Sequence, residues 1–391
     1  MKTPHATDRL RIVVLGYLVR GPLGGMAWHH LQYVMGLTRL GHEVYFIEDS
    51  GDSPWCCYDP LRQLTDADPS YGVEFAGRTF GRVGLGGCWA YYDAHTSRWL
   101  GPCVDRALDF CMTADLLLNL GGVNPVRPWL TDIPKRVFID TDPVFTQIRH
   151  LTDSSARQLA LQHTAFFSFG ENLESTHPRD GLPWQRTRQP IVMDAWPITP
   201  GPARGRFTTI MQWESYSAVQ HGDVCYGMKS NSFRPFMDLP AQVGPILELA
   251  IGSETAPRPL LESKGWILRD PLETAPDPWA YQRYIQQSKA EFTVAKHGYV
   301  VGRSGWFSER SAAYLASGRP VVTEETGFSD WLEVGDGVLA FVTPDEAVAA
   351  IEDVNSRYET HCRAARAVAE AYFDSDQVLR QLLEEIWAGD R

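Results

Sequence analysis

Paired cysteines of the CxxC kind are missing from this chain, although it holds seven cysteines. Cys56 and Cys57 are adjacent, while Cys88, Cys103, Cys111, Cys225 and Cys362 are scattered. An odd number without metal-ligand spacing argues against a zinc site and predicts reduced thiols in a cytoplasm. Long apolar runs are missing too, and nothing approaches the roughly 18 residues that a membrane span requires. The opening residues are polar and lead straight into a buried-strand pattern, without an apolar signal region. Positive charge is scarce: 36 Lys and Arg stand against 48 Asp and Glu, a formal net charge of −12. That balance disfavours nucleic acid as a partner, because phosphate contacts need surplus cations. Any phosphate-bearing ligand must therefore be met by local positive groups.

What is present is an ordinary globular composition, 44% hydrophobic and 21% charged over 391 residues. That length is too great for one ordinary core, so two domains are expected. "RIVVLGYL" (Arg11 to Leu18) is a β-branched run of the kind buried in a parallel sheet. A glycine loop, a helical pattern from Met26, Gly41 as a break, and "HEVYFIED" follow, which completes one βαβ unit. "ADLLLNLGG", "KRVFIDTDP" and "TAFFSFGEN" predict further strands that end in polar or glycine-rich loops. The segment from Ser53 to Trp99, rich in Gly, Tyr, Trp and Asp without clear period, reads as an irregular excursion. Residues 175–205 are proline-rich and suit a connector. The alternation then restarts with "RFTTIMQW", "GWILRD", "AEFTVAKH", "RPVVTEE" and "GVLAFVT", and the chain is almost all helical in pattern from Pro344. Two successive open α/β domains result, with a cleft between the carboxyl ends of their strands, where such sheets bind ligands. No internal repeat is evident.

The stretch Gly302 to Phe328, "GRSGWFSERSAAYLASGRPVVTEETGF", concentrates the polar chemistry. After the strand "AEFTVAKH" comes a loop with three glycines, and a helix is expected to begin near Trp306. First-turn amides lack internal partners and, with the helix dipole, favour an anion. Lys296, His297, Arg303 and Ser304 flank that loop, and Ser308, Glu309 and Arg310 fall in the first turns. Glu309 serves as a helix-start charge on one reading and as a carboxylate for ribose hydroxyls on the other. Glu325, Thr326 and Gly327 close the next strand, where a sugar's hydroxyls could be read.

These residues carry a resemblance. "ERSAAYLASGRPVVTEETGF" resembles the donor-site segment of GT-B glycosyltransferases, and "GPLGGMAWHHLQYVMGLTRLGHEVYFIED" resembles their opening, with a glycine-pair loop and "GHEV". The two matches lie in opposite halves and in the family's order. The resemblance implies a GT-B architecture: an α/β chain of two Rossmann-like domains facing across a cleft, closed by a C-terminal crossover helix. On this reading residues 1–185 bind the acceptor, 186–205 link, 206–360 bind the donor, and 361–391 pack back on the N-terminal domain. It also implies a sugar nucleotide such as a UDP-sugar as co-substrate, with no other cofactor. One departure stands out. The retaining branch similar to glycogen synthase carries two glutamates where this chain has Gly305 and Ala313. The "F-S-x-R-x-x-x-Y-L-A-S-G" form is instead similar to GT-B enzymes found among bacterial biosynthetic genes, of the natural-product type.

Glycosyl transfer needs a stabilised leaving diphosphate and, for inversion, a base. The donor helix start supplies the first without a metal. Gly25 lets the N-terminal loop approach the donor, and Lys229 in "YGMKSNSF" is placed to reach a phosphate or to stand on the surface. His29 is the candidate base; its neighbour His30 lies about 100° round the helix, so at most one of the two points into the site. Asp142 in "DTD" is a second catalytic candidate, with turn capping as its structural alternative. Asp140, Asn124 and His30 are candidate acceptor-binding residues, Glu171 a further lining candidate, and Trp213 either walls the cleft or plugs the core. The acceptor is expected to be a small molecule or glycan. Two rival readings share the architecture: a non-hydrolysing sugar-nucleotide epimerase and a catalytically silent partner subunit.

Overall fold

A computed structural model describes residues 9–173 and 178–388. The polar opening (1–8), residues 174–177 at the connector and the terminal 389–391 lie outside the described residues. The first half contributes β1 (Arg11–Leu15), β2 (Glu43–Asp49), β3 (Cys57–Asp59), β4 (Leu64–Asp66) and β5 (Trp89–Asp93). It continues with β6 (Arg98–Leu100), β7 (Leu116–Leu120), β8 (Lys135–Asp140), β9 (Ala165–Ser168) and β10 (Trp184–Arg186). Apart from the β3/β4 hairpin these form one sheet, ordered β10-β9-β8-β7-β1-β2-β5-β6. Its pairs are parallel except β5/β6. The β-branched and leucine-rich runs of β1 and β7 are buried almost throughout, as strands covered by helices on both faces must be.

The second half contributes β11 (Phe207–Gln212), β12 (Val219–His221), β13 (Val224–Tyr226), β14 (Leu247–Gly252) and β15 (Ile267–Arg269). It ends with β16 (Ala290–Thr293), β17 (Val321–Glu324) and β18 (Val338–Phe341). Six of these make a wholly parallel sheet, β15-β14-β11-β16-β17-β18, and β12/β13 is a separate hairpin. Strand order reverses between β1 and β7 in one lobe and between β11 and β16 in the other. Each reversal opens a crevice at the strands' carboxyl ends.

The lobes are tied together. Trp28 Nε1 in the helix Gly24–Arg39 donates to Pro278 O at 2.6 Å in the second lobe. Gly24 permits this close approach, since a Cβ there would stand 2.5 Å from Asp277 O. The last helix, Ser375–Ala388, returns to the first and seats Leu379 against Gly36. One continuous apolar core runs from Leu10 to Trp387 through both halves.

Two expectations are corrected, and one strand absent from the sequence reading is added. The Ser53–Trp99 excursion is largely ordered structure: the β3/β4 hairpin, the helix Ser70–Arg82 and strand β5. "LELAIG" is strand β14, which its Leu, Glu and Ala content concealed. The glycine-bearing loop after β16 begins as a short helix, His297–Gly302, and the next helix starts at Glu309 rather than near Trp306.

Candidate active site

Ser308 sets the start of the helix Glu309–Ala316: its hydroxyl accepts the Arg310 N–H at 3.2 Å. Between the two helices Arg303 adopts the left-handed conformation and Ser304 is wholly buried, its Oγ accepting from Trp306 N at 3.3 Å. The hydroxyls of Ser304 and Ser308 are thus spent on the turn and the cap. Arg303 is half-exposed and pairs with Asp330 at 3.5 Å. His297 Nδ1 accepts from Gly227 N at 3.4 Å, and burial lowers its pKa. At the end of β17, Glu325 accepts the Gly327 N–H at 2.5 Å and Thr326 Oγ1 donates to Trp306 O at 2.5 Å.

Three cations gather over the β11/β16 crevice. Arg310 is partly buried and held by the sheet: Nε bonds Glu291 at 2.5 Å, one terminal nitrogen bonds Ile210 O at 2.8 Å, and the other bonds Thr293 Oγ1 at 2.9 Å. Three of its five N–H donors are thus spent on the sheet. Lys229 is 9% exposed. Burial, then repulsion from Arg310, holds its pKa well below the ordinary lysine value, with Glu291 opposing. Lys296 follows β16 at the same edge. Glu324, buried at the end of β17, accepts from Ala295 N at 3.0 Å, and burial pushes its pKa up to about 7.

From the first lobe, the helix Gly24–Arg39 brings His29 beside the start of the Glu309–Ala316 helix. Gly25, His29, Glu309, Tyr281 and Ala313 line one narrow space between the lobes. Burial lowers the pKa of His29, and the Glu309 carboxylate opposes that shift. The His29 ring meets Phe169 and Tyr33 edge-on. A neutral imidazole therefore faces a helix-start carboxylate across the cleft.

Its neighbour His30 is corrected from acceptor ligand to framework. Nδ1–H donates to Met26 O at 2.8 Å and Nε2 accepts from Tyr17 N at 3.0 Å, so both ring nitrogens are occupied. Asn124 is likewise corrected: fully buried, it donates to Gly16 O at 2.8 Å and accepts from Asp49 N at 3.0 Å. Asp140 builds the turn after β8, accepting from Asp142 N (2.9 Å), Thr146 Oγ1 (2.7 Å), Ser168 Oγ (2.7 Å) and Gln147 Nε2 (3.1 Å). Those four bonds saturate it and correct its acceptor role. Glu171 is paired with Arg188 at 2.5 Å, and Trp213 is buried in the core of the second lobe.

Asp142 instead reaches across the cleft, bonding Lys296 Nζ at 2.9 Å and accepting from Tyr216 O–H at 2.5 Å. Burial alone would raise its pKa; Lys296 and the tyrosine hydroxyls hold it below the usual carboxylate range. Asn172 reinforces the junction, its Nδ2 donating to Gly327 O at 2.9 Å and to Asp330 at 3.1 Å. Sequence reasoning passed over Tyr216, Tyr281 and Glu291. Tyr216 precedes the β12/β13 hairpin, whose Gly222-Asp223 turn, with Gly222 at φ +58°, was the signal that could have found it, whereas Glu291 sat in plain view inside "AEFTVAKH" as an acid in a buried strand.

No protein-family model and no curated protein matches the chain. Solved structures do. An alpha-glucosyltransferase in complex with UDP-glucose and DNA containing an abasic site superposes with a TM-score of 0.60 at 11% identity, over 97% of this chain and 100% of that one. Anabaena Alr3699/HepE in complex with UDP gives 0.54 at 12% identity, over 96% and 99%. AviGT4, a glycosyltransferase involved in avilamycin A biosynthesis, gives 0.50 at 13%, over 96% and 97%. Likeness at such identity bears on architecture, and it establishes that this chain has the GT-B fold expected from its sequence.

Proposed function

We propose that this GT-B chain is a glycosyltransferase that moves a sugar from a nucleoside diphosphate donor to a small-molecule or glycan acceptor. The observation that carries the reading is the gathering of Lys229, Lys296 and the Glu309–Ala316 helix start at the β11/β16 crevice of an otherwise acidic chain. A diphosphate is the ligand whose charge such a group matches. Similar structures were solved with UDP or UDP-glucose, which supports a uridine donor.

In this reading Lys229 and Lys296, with first-turn amides, stabilise the leaving diphosphate, so that no metal ion is required for it. Glu309 accepts from donor hydroxyls. His29, held neutral by burial, takes the acceptor's proton or orients its hydroxyl. Although some similar structures contain DNA, the net charge of −12 favours an uncharged or cationic acceptor over a polyphosphate one.

The test is a thermal-shift screen of sugar nucleotides with EDTA present, followed by calorimetry of Lys229→Met. A ligand of the folded state raises the melting temperature. Lys229→Met is expected to weaken donor binding by about 10- to 100-fold, the range of a lost charge-assisted bond, without lowering stability. No shift with any sugar nucleotide, or unchanged affinity in the variant, defeats the reading.

A further inference from the structure

Asp142 belongs to the first lobe, yet three groups that bond it belong to the second. Lys296 Nζ donates to Oδ1 at 2.9 Å, Tyr216 O–H donates to Oδ2 at 2.5 Å, and the Tyr299 hydroxyl donates to Oδ1. Lys296 also donates to Tyr216 Oη at 3.0 Å. Its ammonium stands over the rings of Tyr216, Phe145 and Tyr299, at 4.4, 5.2 and 5.4 Å from their centres. The side chains of Lys296 and Asp142 are only 16% and 24% exposed, so water and salt screen the pair weakly.

Of the two charges, the carboxylate is the fixed one. Asp142 N–H is bonded to Asp140 at 2.9 Å, and its carbonyl accepts from Thr146 N at 3.0 Å. Two residues on, fully buried Val144 holds φ +75° and ψ −56°, a strained γ-turn conformation for a β-branched residue. Tyr226, Met228, Ala295 and Tyr299 of the second lobe cluster with it and hold it there. Lys296, by contrast, carries its charge on a flexible four-carbon stem. It stands at the edge of the β11/β16 crevice, close enough for its charge to depress the pKa of Lys229.

Resting on the diphosphate reading above, we propose that Asp142 and the donor diphosphate compete for Lys296. Donor binding draws the ammonium away from the carboxylate and onto phosphate oxygens, which removes one of the three bonds that tie Asp142 to the second lobe and leaves the two tyrosine hydroxyls on it.

The experiment titrates the purified full chain with UDP, dTDP, GDP and ADP by calorimetry and continues with whichever binds best. Asp142→Asn is expected to tighten that nucleotide about tenfold, within the ordinary range of coupling between sites. Lys296→Met is expected to weaken it, and adding Asp142→Asn to Lys296→Met is expected to change nothing further. An Asp142→Asn protein that binds no tighter, or that tightens equally without Lys296, overturns the competition and leaves the proposed function standing. Wild-type protein that binds none of the four nucleotides overturns both. A readout independent of the variants is the wild-type crystal structure with the nucleotide bound. Lys296 on phosphate and off Asp142 supports the exchange, and Lys296 still bonded to Asp142 overturns it.

Discussion

Glu324 closes β17 with a carboxyl group that is 7% exposed and whose pKa is pushed up to about 7, chiefly by burial. In the unfolded chain the same group titrates near the ordinary 4.5. Between those values the unfolded state gives up its proton while the folded state keeps it. Stability contributed by this group is therefore full below pH 4.5, falls as pH rises to about 7, and stays low above that. Glu324→Gln keeps the shape and removes the titration. Its advantage over wild type is expected to be negligible at pH 4.5 and to reach about 3 kcal/mol at pH 8, since each tenfold change in proton affinity is worth about 1.4 kcal/mol. Urea melts at both pH values check this, and an advantage that does not grow with pH contradicts it. His30 shows the same chemistry from the basic side: burial, then His29, holds its pKa well below the usual histidine range, and its two bonds fix one neutral tautomer.

Elements whose pattern agreed with their burial were legible in the sequence. "RIVVL" and "LLLNL" have no other reading than buried strands, and both became central strands of the first sheet. The helix Ser70–Arg82 was not legible, because Gly72, Gly77 and Gly81 each cost it about 1 kcal/mol of helix propensity. Packing explains at least one of them: a Cβ on Gly72 would drive into the backbone carbonyl of Val19. Gly72→Ala, which propensity alone would call stabilising, is therefore expected to cost about 2 kcal/mol or more, as overpacking against immobile backbone does. A chemical melt that shows Gly72→Ala to be more stable than wild type would refute the packing argument. At the candidate site the same division holds. Motif spacing singled out Glu309, His29 and Lys229 alongside Arg310, His30, Asn124 and Asp140, yet the last three are tied by buried bonds to the framework and Arg310 spends three donors on the sheet. Whether a polar side chain is satisfied by framework or open to a ligand depends on contacts distant in sequence, and a linear pattern does not carry them.

At the scale of the whole molecule, two lobes of a GT-B fold would ordinarily unfold as separate units. Here the apolar core is continuous from the first sheet through the connector to the last helix. Ile191 in the connector donates to Phe373 O at 2.7 Å and accepts from Ser375 N at 2.9 Å, which pins the start of that helix. Leu379 is fully buried against Gly36 of the first helix, with Leu382 and Leu383 beside it in the stripe. Because the last helix belongs by chain order to the second lobe and by packing to the first, loss of its anchor removes support from both. Leu379→Ala is expected to cost about 2–5 kcal/mol and to lower the melting temperature of a single calorimetric transition by about 2–6 °C, from the entropy of unfolding a chain of this length. Two resolved transitions, with only one displaced by Leu379→Ala, would mean that the lobes fold independently and that the shared core is a contact surface between them.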